Sequence, residues 1–134
     1  MRRIAFVVCV VFCMTLLSAC SAKDENISCT ISIETNESII LGETTVKFAE
    51  GSSVFDILKK VTRENKIQME SRGLGALVYV SGIDNLYEFD SGPQSGWIFY
   101  VNDIRGDESS GKVTAVEGDI IKWVYVLEVP PMLP

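Results

Sequence analysis

Trp97, Phe99 and Tyr100 lie within four positions of one another, and Trp123 and Tyr125 follow two strand lengths later. Rings at this density could form a stacking platform for a flat ligand, because aromatic side chains give large contact area at low entropic cost and Tyr or Trp adds a polar tip. The same rings are what a small sheet needs as its core, and for any one of them core is the stronger expectation. Tyr87, set among Asp84, Glu88 and Asp90, is the ring most expected at the surface. That acidic group, and a second one at Asp103, Asp107 and Glu108, could attract Ca²⁺. Neither has the spacing of a calcium loop, so solvated acidic loops are expected and no metal site is assigned.

The chain has no histidine, which removes imidazole acid–base chemistry, imidazole metal ligands and an axial imidazole for cobalt or haem. One small sheet, no evident cleft and no nucleophile motif argue against an enzyme.

Residues 1–19 read as a signal peptide. Arg2 and Arg3 precede an apolar run of 14 positions, residues 4–17, interrupted by Thr15. That falls short of the roughly 20 apolar residues that span a bilayer. The run closes on Leu17-Ser18-Ala19-Cys20, which resembles the lipobox of bacterial lipoproteins. The resemblance implies cleavage before Cys20 and a diacyl lipid on its sulfur, an ordinary signal with an Ala-type site or an uncleaved anchor being the alternatives. Two acyl chains hold a protein stably on a membrane where one is marginal. A lipid-anchored protein on the extracytoplasmic face of the cell membrane is therefore expected, with residues 20–26 as lipidated cysteine and short tether.

Loss of Arg2 and Arg3 takes the formal charge from −6 to −8. An acidic surface argues against nucleic acid and against electrostatic docking on anionic lipid. Cys9 and Cys13 leave with the signal and Cys20 goes to lipid, so Cys29 is left without a disulfide partner and is expected as a small buried residue.

The rings need a frame, and the rest of the chain supplies one. Residues 27–33 alternate apolar and small polar side chains as a half-buried strand does, and residues 39–41 and 44–49 give a second strand interrupted near Gly42. Ser53 and Asp56 have capping-box spacing ahead of Val54, Ile57, Leu58 and Val61, which follow the i, i+3, i+4, i+7 rule, and Asn65 and Lys66 end that helix. Residues 67–70 read as a short edge strand, 76–80 as a principal strand ending at Ser81-Gly82, and 83–89 as a loop or irregular strand. Residues 97–102 form the aromatic strand. It puts Trp97, Phe99 and Val101 on one face and Ile98, Tyr100 and Asn102 on the other. A turn at 103–106 and an acidic loop lead to the last strand, 120–127, in which Ile121, Trp123 and Tyr125 share a face. The class is α+β: one amphipathic helix packed on one mixed β-sheet in β-grasp order. The domain spans 27–129 and the tail 130–134.

Four stretches stand in the order and spacing of one family. They are Gly51-Ser52-Ser53-Val54-Phe55-Asp56-Ile57-Leu58-Lys59-Lys60, Ile83-Asp84-Asn85-Leu86, Gly92-Pro93-Gln94-Ser95-Gly96-Trp97-Ile98-Phe99-Tyr100-Val101-Asn102, and Glu117-Gly118-Asp119-Ile120-Ile121-Lys122-Trp123-Val124-Tyr125. Together they resemble the C-terminal β-domain of the transcobalamin and intrinsic-factor proteins, found in bacterial surface proteins as a domain of unassigned function. The resemblance implies a β-grasp-like fold. It also implies cobalamin held, as in the animal proteins, between this domain and a helical-barrel domain that this chain does not carry. On that carry-over the ligand-facing positions are Tyr87, Trp97, Phe99 and Tyr100. Asp103 stands where bacterial members have glycine, a place that Asp tolerates. The function expected is a lipid-anchored binding module that captures cobalamin or a related corrinoid with a second component, with no resident cofactor. The rival is a non-enzymatic adaptor that pairs with another envelope protein through exposed aromatics or a strand edge.

Overall fold

The computed structural model describes residues 24–129. The signal peptide, Cys20 and the tail read from the sequence lie outside the described residues.

Strand β1 (Ile27–Glu34) and strand β2 (Ile39–Phe48) form an antiparallel hairpin. Its register slips near Gly42, where the sequence shows an interruption: Ile31 faces Thr44 but Ile33 faces Leu41. The slip is a bulge rather than a break, so β2 remains one strand. Helix α1 (Val54–Glu64) starts where the capping box places it. The Asp56 amide donates to Ser53 Oγ at 3.1 Å and the Ser53 amide to Asp56 Oδ2 at 2.9 Å. Asn65 caps the far end. Val54, Ile57, Leu58 and Val61 are fully buried, each worth about 2 kcal/mol of transfer free energy. That buried stripe, rather than intrinsic propensity, holds an 11-residue helix together.

After the helix come β3 (Met69–Arg72), a 3-10 turn (Gly75–Leu77), β4 (Tyr79–Ile83), β5 (Leu86–Tyr87), β6 (Gly96–Val101), β7 (Ile104–Arg105) and β8 (Ile120–Val126). Among the described residues the strands form two sheets, not the one expected. The larger, ordered β2-β1-β8-β6-β7, is mixed because β8 runs parallel to β1 and antiparallel to β6. The smaller, β3-β4-β5, is antiparallel and approaches the larger where β4 passes β6.

The strand expected at 76–80 begins three residues later. The apolar run misleads because part of it is a turn that leaves Leu74 and Leu77 at 89% and 83% exposure. Gly82 continues β4 instead of ending it, because the Tyr87 ring lies on it: a Cβ there would stand 2.5 Å from Tyr87 Cδ1. Two tight hairpins also replace looser readings. Asp84 and Asn85 both take positive φ and join β4 to β5, and Asn102 and Asp103 do the same between β6 and β7. Paired left-handed residues match the twist of the strands they connect, and Asn and Asp adopt that conformation at low cost.

Candidate functional site

Strands β6 and β8 carry the rings as directly opposed pairs, Trp97 with Tyr125 and Phe99 with Trp123. The first pair meets edge to face, with centroids 5.3 Å apart and planes at 67°. Both of its polar tips are spent on the β5 segment: Trp97 Nε1 donates to the Leu86 carbonyl at 2.8 Å, and the Tyr125 hydroxyl to the Tyr87 carbonyl at 2.8 Å. Ser95 Oγ lies 2.9 Å from the same hydroxyl. These bonds tie the large sheet to the small one. Tyr87 in turn receives a bond on its own oxygen from Gln68 Nε2 at 3.1 Å.

The four ring positions singled out from the sequence do not make one platform. Trp97 and Phe99 are 5% and 6% exposed and face the core, as the alternation of β6 requires. Tyr100 is half-buried on the opposite face of β6, and Tyr87 is half-buried on the small sheet. Tyr79 and Phe89, which the sequence does not single out, are more exposed, at 46% and 61%. Phe89 also holds a positive φ of 69°. Tyr79 faces Glu88, which is ion-paired to Arg72 at 2.8 Å. Burial and the hydrogen bond and charge of Glu88 push its phenol up to about 12, against the opposing charge of Arg72.

The second pair is finished differently. Phe99 and Trp123 lie with centroids 5.3 Å apart and planes at 35°. Trp123 is 2% exposed and its Nε1 has no hydrogen-bond partner among the described residues. A buried donor left unsatisfied costs about 1–3 kcal/mol. Both rings border a half-enclosed cavity of about 140 Å³ between β4, β6 and the segment 106–110. That segment is drawn over Phe99. The Gly106 amide donates to the Phe99 carbonyl at 2.9 Å, and a Cβ on Gly106 would stand 2.1 Å from Phe99 Cζ, so only glycine lets the chain pass there. Ser109 Oγ latches the far side by donating to the Val78 carbonyl at 2.6 Å.

The family-like stretches turn out to specify this frame. Asn102 Nδ2 donates to Asp119 Oδ1 at 2.8 Å, and Asn102 Oδ1 accepts from the Ile120 amide at 2.9 Å. Asp119 also accepts from the Val116 amide at 2.9 Å. The two motif residues therefore clamp the end of β6 to the start of β8. The acidic groups do not converge: Glu88 pairs with Arg72, Asp90 accepts the Tyr87 amide at 2.8 Å and Glu108 pairs with Lys112. Among the described residues no group of three or more Cys, Asp or Glu is placed to hold a metal ion. Cys29 is buried, and burial, with the charges of Asp119 and Glu117, pushes its thiol up to about 11. It is an inert thiol at neutral pH. Sequence reasoning missed Tyr79, Arg105 and Ser109; the glycines at 106 and 111 that bracket an acidic, serine-containing run were the available signal.

No curated protein matches the chain by sequence. Among solved structures, haptocorrin in complex with Cbi is similar at 18% identity and a TM-score of 0.64, over 84% of this chain and 29% of that one. A candidate metal binding protein from Ruminococcus gnavus ATCC 29149 is similar at 17% identity and a TM-score of 0.53, over 75% of this chain and 97% of that one. These likenesses are of fold, and the chain spans less than a third of haptocorrin. Residues 51–126, more than half of the chain, match the domain of unknown function DUF4430, and the chain belongs to that family.

Proposed function

We propose that this protein is a lipid-anchored binding module of the cell surface that captures cobalamin or a related corrinoid together with a second component. The observation that carries the reading is the likeness in fold to Cbi-bound haptocorrin over 84% of the chain. Cavity size supports the need for a second component. A drug-sized ligand is enclosed by a pocket of about 300–1,000 Å³, and a corrin is larger still, whereas the cavity at the rings holds about 140 Å³. A macrocycle would lie on the surface beside Tyr79, Tyr87 and Phe89 and be covered from the other side. In this reading residues 27–129 form a β-grasp-like domain, with β8 lying parallel to β1. Residues 1–19 are a signal peptide, and acylated Cys20 holds the domain to the extracytoplasmic face of the membrane. The role is binding without catalysis.

Titration of the purified protein with cobalamin and cobinamide, followed by corrin absorbance and calorimetry, tests the ligand. Weak but saturable binding is expected of a domain that covers the ligand from one side only, and no heat or spectral change at high micromolar ligand would sink the corrinoid reading for this chain. Cys20→Ala should move the protein from the membrane to the soluble fraction; an unchanged distribution would remove the anchor.

Two observations favour a second reading, a protein adaptor of the envelope. Leu74 and Leu77 project from the turn before β4 almost fully exposed, and the outer edge of the ten-residue strand β2 has no neighbouring strand among the described residues. Capture of an envelope protein that Leu74→Ser with Leu77→Ser abolishes would support it, against a silent corrinoid titration.

A further inference from the structure

We infer that the cavity under the segment 106–110 is a subsite for one small neutral group that both donates and accepts hydrogen bonds, a primary carboxamide, with Trp123 Nε1 as its donor. The inference deepens the corrinoid reading, since carboxamide arms ring the corrin macrocycle, and rests on that reading for the larger ligand only.

Three features of the cavity converge on this chemistry. Its size, about 140 Å³, is close to that of cavities that accept a benzene-sized guest, so a short arm fits and a macrocycle does not. The buried indole N–H of Trp123 lacks an acceptor among the described residues although the ring borders the cavity. Native interiors rarely tolerate such a donor without a role for it, and a carbonyl oxygen would satisfy it. Arg105 and Glu108 line the same space, and Glu108 is already paired with Lys112, so a cation finds no unpaired carboxylate there, and propionate against propionamide separates an anion from a neutral amide. A neutral amide can turn its NH₂ toward the Glu108 carboxylate or the hydroxyl oxygen of Ser109 and its carbonyl toward Trp123. Phe99 supplies the apolar wall for the methylene stem.

The chain has two tryptophans, and they provide probe and reference together. Trp97 Nε1 already donates to the Leu86 carbonyl and should not respond. The protein is labelled with heavy nitrogen at tryptophan, its two indole N–H signals are assigned with Trp123→Phe, and propionamide, propionate and cobinamide are titrated in turn. Propionamide is expected to shift the Trp123 proton downfield with the Trp97 proton static, and propionate to do so less. Cobinamide is expected to give the same shift at much lower concentration. A Trp123 signal that propionamide leaves unmoved, or moves equally with that of Trp97, overturns the subsite, and a stronger response to propionate overturns the carboxamide class. Cobinamide that changes absorbance without moving the Trp123 signal overturns the subsite and leaves the corrinoid reading standing. A propionamide shift with no cobinamide absorbance change supports the subsite and counts against that reading.

Discussion

Two ring pairs sit one step apart on the same face of β6 and β8, with centroids at the same 5.3 Å, and only one of them is complete. In the Trp97–Tyr125 pair each polar tip has a carbonyl, and the bonds cross from one sheet to the other. In the Phe99–Trp123 pair the indole N–H has no partner among the described residues and a cavity opens beside it. The first pair does the work of folding. The second is tolerated by the fold, which is the condition expected of a group kept for something else.

Four substitutions test that division. Trp97→Ala removes a buried ring and the bond to Leu86, so a loss of about 3–5 kcal/mol in urea unfolding is expected. A loss of under about 1 kcal/mol, the range of ordinary surface changes, would mean that the first pair closes nothing. Gly106→Ala forces its Cβ against the Phe99 ring; about 1–3 kcal/mol should be lost through overpacking, and the response of Trp123 to propionamide should go with it. Tyr125→Phe leaves the Tyr87 carbonyl without its donor and should cost about 1–2 kcal/mol. Trp123→Phe is the smallest of the four, about 1 kcal/mol or less, because the orphaned donor is removed together with its penalty. The comparison breaks if Trp123→Phe proves costlier than Tyr125→Phe, even though it deletes the larger group.

The parts legible in the sequence are those whose cause is local. The Ser53–Asp56 box fixes the start of α1 within four residues, and the alternation in β8 sends Ile121, Trp123 and Tyr125 inward. The same period of two puts Tyr100 on the opposite face of β6 from Trp97 and Phe99. What stayed hidden depends on distant segments. Asn102 and Asp119 are both in family-like stretches, yet nothing along the chain shows that they bond to each other. The run at 76–80 has strand composition, and an apolar run that short carries no period able to distinguish a strand from a turn. The division into two sheets turns on pairings between β3, β4 and β5 that composition does not encode. The site itself was half legible: the rings announce themselves, but the segment that makes a cavity of them is a loop without periodicity.

The parallel pairing of β1 with β8 sets a timetable for the molecule. Thr30 lies beside Ile120 and Ile33 beside Trp123, so β1 waits for nearly the last residues of the domain before its second neighbour, the central strand β8, exists. Closing so long a loop costs entropy before any contact repays it, which makes for slow folding dominated by non-local contacts. A chain built this way stays open until β8 is available, and the aromatic ladder, half of which is carried on β8, is among the last things it completes.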